Sequence, residues 1–181
     1  MAPPTTARQY GAAMRAQGIK WPAPAIGRAD ALLPSLDVYR IGRRNPAKVF
    51  VLSRAGWATV YVERSYGTYR DAFDAVMPRT SLGRDVDHLL PKSQAPAGDF
   101  LALGRISHGA NRGWNDDDSD QAMAQKVRDM LKANPHQFLS RLTDMERGWA
   151  VVSCYIRPLH ELNAQAMTRM TMAEREEVFS V

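Results

Sequence analysis

Two dense runs of strand-forming residues, Lys48 to Ser53 and Trp57 to Glu63, stand three residues apart and constrain this chain more than any other feature. Val, Phe, Thr, Trp and Tyr at this density, with Arg54-Ala55-Gly56 between the runs, predict an antiparallel hairpin whose turn uses the backbone freedom of Gly56. Tyr69 to Met77 follows with Tyr69, Phe73 and Val76 at helical spacing, and Pro78 closes that helix. Upstream, Ala7 to Gln17 has the content of a short helix ended by Gly18. Trp21, Pro22, Pro24 and Pro34 then punctuate a connector, residues 18 to about 37, that should run in extended or turn conformations.

The C-terminal third reads as helical. Ser119 can cap a helix with Met123, Val127, Met130 and Leu131 on one face. Phe138, Leu142 and Met145 mark a second, and Trp149 onward a third that Pro158 should kink or interrupt. Thr171 before Ala173-Glu174-Arg175-Glu176 predicts one more capped helical turn or two. These patterns give an α+β chain in three segments of one compact unit. Residues 1–78 hold the N-terminal helix, connector and hairpin, 79–133 a central motif, and 134–181 a C-terminal helical region.

At 181 residues the chain can bury one proper core. No window reaches the roughly eighteen apolar residues of a membrane helix, and Met1 to Lys20 lacks the apolar centre of a secretory signal. The expectation is a soluble cytoplasmic protein with no membrane partner; delivery into another cell as an effector is the alternative setting. Cys154 is the only cysteine, so neither an intrachain disulfide nor a cysteine-bound zinc can hold the fold. A net charge of +5 tilts the chain toward a polyanionic partner. From Val38 to Val62 there are five basic residues, Arg40, Arg43, Arg44, Lys48 and Arg54, and no acid. That stretch is either a solvated basic strand edge or a surface for phosphates.

The chemistry-bearing stretch lies between the halves, at Arg84-Asp85-Val86-Asp87-His88-Leu89-Leu90-Pro91-Lys92-Ser93 and then Phe100 to Arg112. Asp87 and His88 on adjacent positions of a short strand point to opposite sides. A carboxylate could bind a cation on one side while the imidazole on the other takes a proton from water. Phe100 to Leu103 predicts a second strand, and a helix entry near Gly109 would return His108 and Asn111 toward Asp87.

Asp87-His88-Leu89-Leu90-Pro91, the Phe100 to Leu103 run and Ala110-Asn111-Arg112 together resemble the HNH (ββα-metal) endonuclease family over roughly residues 84 to 131. The resemblance implies a ββα-metal motif and a nuclease of DNA, or else of RNA. It makes His88 the general base, and Asp87 and Asn111 catalytic ligands of one divalent cation: Mg²⁺ first, with Mn²⁺, Ni²⁺ or Zn²⁺ as alternatives. His108 would be a further ligand, a phosphate contact or a structural histidine. Lys92, Arg105 and Arg112, with Arg40, Arg43, Arg44 and Lys48, would meet the nucleic-acid backbone. The chain departs from the family in lacking paired Cys-x-x-Cys knuckles, and Asp99 stands where the family's middle Asn would orient the base. Those departures leave open a non-catalytic nucleic-acid-binding module on the same scaffold, or a protein-interaction component of a phage, plasmid or toxin system. Asp116-Asp117-Asp118 and Asp120 read more simply as helix N-terminal charges than as a metal cluster.

Overall fold

A computed structural model describes residues 25–78, 84–88, 92, 99–107 and 156–180. The predicted helices in 7–17 and 119–155, and the helix entry near Gly109, lie outside these residues. The described part is α+β: an eight-stranded, antiparallel sheet with two α-helices.

The predicted hairpin is its centre. Strands β3 (Val49–Arg54) and β4 (Trp57–Glu63) pair antiparallel from Val49↔Val62 to Arg54↔Trp57. Ala55 and Gly56 form the turn with φ of 50° and 80°, the doubly left-handed geometry that matches strand twist in a two-residue hairpin loop. On one side of this pair, β2 (Asp37–Ile41) joins β3, and β8 (Met167–Arg169) joins β2. On the other, β6 (Phe100–Ser107) pairs with β4 through Ala102, and β1 (Ala25–Ile26) lies along Phe100 and Leu101. From Leu103 onward β6 pairs instead with β5 (Arg84–His88), in the register His88↔Leu103 and Asp87↔Gly104. The two-residue β7 (Arg157–Pro158) pairs with Trp57 and Ala58 of β4.

Alternation along the strands sorts the side chains onto two covered faces. On one, Ile41, Val49, Val51, Ala58, Val60, Val62, Val86 and Leu103 pack under Ala72, Phe73 and Val76 of helix α1 (Tyr69–Val76). Asn163 satisfies the end of α1, its backbone N–H donating to the Val76 carbonyl at 2.8 Å and its Nδ2 to the Ala75 carbonyl at 3.2 Å.

The opposite face is aromatic. Phe50 meets Phe100 and Phe179 edge-on, with centroids 4.9 and 5.1 Å away, and Tyr61 in a stacked arrangement at 6.1 Å. Phe179 comes from helix α2 (Met172–Phe179), which opens with the reciprocal cap its sequence predicts: Glu174 N–H donates to Thr171 Oγ1 at 3.2 Å and Thr171 N–H to Glu174 Oε2 at 2.7 Å. Arg175 of α2 is 4% exposed. Its guanidinium donates to the carbonyls of Ala31, Leu33 and Leu36 at 2.8, 2.8 and 2.9 Å. It thereby ties α2 to the 3-10 turn Arg28–Leu32 and the residues after it.

One expectation is corrected. Residues 156–170, predicted helical, instead form β7, two 3-10 turns (Leu159–Glu161 and Ala164–Ala166) and β8. Pro158 has no N–H to continue a helix, whereas the edge of β4 that β6 leaves after Ala102 accepts a short strand containing it. No helix among the described residues is long and apolar enough to cross a membrane.

Candidate functional site

Strand β5 ends on the two residues the sequence singles out. Val86 and His88 face the α1 side, both 5% exposed, while Asp85 and Asp87 alternate to the other side and are half-buried. The backbone N–H of His88 donates to Asp87 Oδ1 at 2.8 Å, folding that carboxylate back along its own strand. Opposite them stand Leu103 and Gly104 of β6, so the two strands of the expected motif are adjacent and antiparallel.

His88 lies against the first turn of α1. Its ring centroid is 4.5 Å from that of Tyr69, tilted by 60°. Lys92 Nζ and Arg70 Cζ approach the same tyrosine ring, 5.2 and 5.4 Å from its centroid. Burial, and then the positive charges of Lys92 and Arg70, push the imidazole pKa down to about 4. The ring is therefore neutral at pH 7. Its Nε2 is buried and has no hydrogen-bond partner, a state that costs about 1–3 kcal/mol in a folded protein.

The expected phosphate contacts divide into separate sets. Arg44 reaches α1, where its Nη2 donates to the Asp71 carbonyl at 3.4 Å, and Arg43 precedes it in the same turn. Lys92 lies instead over the Tyr69 ring, which also touches His88. Lys48 and Arg105 are ion-paired, Lys48 with Glu63 at 3.3 Å and Arg105 with Asp74. Arg105 also lies over the Phe73 ring. Hydrogen bonds from Ser65, then the charge of Lys48, hold the Glu63 carboxyl below its usual pKa. Arg40 belongs to the opposite face by strand alternation, since its neighbours Tyr39 and Ile41 face α1. There it adds a small downward pull on the Glu174 carboxyl, whose pKa is lowered chiefly by the Thr171 cap.

Asn111, His108 and Arg112 lie outside the described residues. Among the described residues no group of three or more His, Cys, Asp or Glu side chains converges as a metal site, so of the implied ligands only Asp87 has a described position. Tyr69 and Arg70 are contacts that local sequence does not mark. Tyr69 reads as one more apolar position of a helix, and only the sheet brings β5 beneath it.

No family model, curated protein or solved structure matches this chain.

Proposed function

We propose that this chain is a metal-dependent endonuclease of the ββα-metal kind, acting on DNA before RNA, with His88 as the base that activates water. The observation that carries the proposal is the end of β5. There a carboxylate and a neutral imidazole with an unpaired Nε2 project to opposite faces of one strand, antiparallel to β6 and beside Lys92 and Arg70.

A divalent cation, Mg²⁺ first, would be held by Asp87 with Asn111 and His108, and when bound would supply Lewis acidity at the scissile phosphate. The protein's own part is electrostatic. Lys92 and Arg70 attract the phosphate, and its negative charge offsets the two cations that help hold the imidazole pKa down. Substrate arrival thus raises the proton affinity of His88 when a base is needed. Water must reach Nε2, which is buried.

That burial favours a second reading, in which the scaffold binds nucleic acid without cutting it and His88 is a packing residue under Tyr69. Incubating the protein with labelled DNA under Mg²⁺, Mn²⁺, Ni²⁺ or Zn²⁺, and in EDTA, separates the two. Cleavage that needs the metal and stops in EDTA supports the nuclease. Retained binding with no cleavage under any ion supports the binding module, and neither binding nor cleavage overturns both.

A further inference from the structure

The structure assigns the face of α1 on which Arg70 and Lys92 meet at Tyr69 and Arg44 reaches the Asp71 carbonyl as the surface along which a nucleic-acid backbone lies. This rests on the reading that the chain takes a nucleic acid, and goes beyond it in naming the path, which includes Tyr69 and Arg70 from outside the β5–β6 strands.

The charge pattern carries the inference. Four basic side chains of the described surface are ion-paired, Lys48 with Glu63, Arg105 with Asp74, Arg157 with Glu161 and Arg169 with Asp37, whereas among the described residues Arg40, Arg43, Arg54 and Arg64 are not. On α1 the unpaired cations share a site. Lys92 and Arg70 share one ring, and Arg44 reaches a main-chain oxygen of α1, at Asp71. Among the described residues none of the three has a carboxylate within ion-pair distance. Lys92 and Arg70, held on one ring, repel one another, and a cation–π contact returns only about 0.5–1 kcal/mol at an exposed site. A polyanion relieves the repulsion. Arg70 and Lys92 are exposed and free to meet it, with Arg43 and Arg64 exposed nearby in sequence.

The chemistry favours phosphate over base. Guanidinium and ammonium groups on a half-buried ring offer charge and donors to phosphate oxygens, contacts that fix position without reading sequence. The strand so held would run past His88, whose ring touches the same tyrosine.

Fluorescence anisotropy of a labelled mixed-sequence DNA duplex, titrated with the full chain in EDTA over a salt series, tests this without cleavage. Arg70→Ala and Lys92→Ala should each lower the slope of log affinity against log salt by about one. The triple variant with Arg44→Ala should lower it by about three. Arg70→Lys should keep the slope, and Arg157→Ala, at the ion-paired edge by β7, should leave it unchanged. Circular dichroism confirms that each variant is folded; were the triple variant unfolded, the Arg70→Ala/Lys92→Ala double would carry the test with a drop of about two. A wild-type slope in these variants overturns the surface while leaving nucleic-acid binding intact. No binding by the wild type overturns the underlying reading and the surface with it.

Discussion

Among the described residues each face of the sheet buries one basic side chain, and the two are treated in opposite ways. Arg175, on the aromatic face, spends three donors on three carbonyls and stays within 3 Å of each. His88, on the α1 face, is as deeply buried at 5% exposure but leaves Nε2 with no partner and sits near two cations. A buried polar group that is fully satisfied reads as structure, because its hydrogen bonds repay its desolvation. One left unsatisfied lowers stability, and under the proposed function that cost is borne at the base.

Removing the satisfied group should have the larger effect. Arg175→Met keeps the apolar stem but strands the carbonyls of Ala31, Leu33 and Leu36, and should lower unfolding free energy by about 3 kcal/mol. Urea denaturation checks this as a fall in midpoint at constant slope. If the midpoint held, the 3-10 turn would be anchored by Phe179 and its neighbours alone, and the contrast between the faces would weaken.

For His88 the effect is small at neutral pH and depends on pH. Its folded pKa of about 4 lies below the ordinary 6.5, so between those values the unfolded chain binds more protons than the folded one. Stability is unaffected above pH 6.5 and falls as pH drops through that window, by about 3 kcal/mol once pH is below 4. His88→Leu should match the wild-type midpoint at pH 7 to within about 1 kcal/mol, since an unpaired polar atom is lost. The same variant should lose less stability than the wild type between pH 6.5 and 4. Parallel denaturation curves at the two pH values decide it, and identical acid losses would show that His88 does not titrate in a buried site.

Thr59 gives the smallest contrast and sharpens it. It is fully buried in β4 with Oγ1 unpartnered. Thr59→Val, nearly isosteric and a good strand former, should raise stability by up to about 1 kcal/mol. A destabilised Thr59→Val would reveal a hydroxyl contact that only the protein in solution makes.

What the chain shows from sequence follows from how local each cause is. The β3–β4 hairpin is legible because β-branched and aromatic residues flank a glycine at the turn, and α1 because Tyr69, Phe73 and Val76 repeat at helical spacing before Pro78. Thr171 and Glu174 announce the start of α2 three residues apart. Strands β7 and β8 are not legible. Two and three residues long, they exist only because β4 and β2 offer open edges, and their sequence fits helical spacing equally well. At the candidate site, alternation along β5 already separates Asp87 from His88. Tyr69 over the imidazole, the cations around that ring and the three-carbonyl seat of Arg175 are tertiary facts with no local signature, because arginine reads as a surface residue until a partner is found for it.

The central claim is that His88 is kept for chemistry, and the most direct measurement is cleavage of supercoiled plasmid by wild type and His88→Ala under Mg²⁺ or Mn²⁺ at neutral pH. The expected result is metal-dependent nicking by the wild type and a loss of at least about a hundredfold in a folded His88→Ala protein. Undiminished cleavage by that variant in a clean preparation would contradict the assignment of the base.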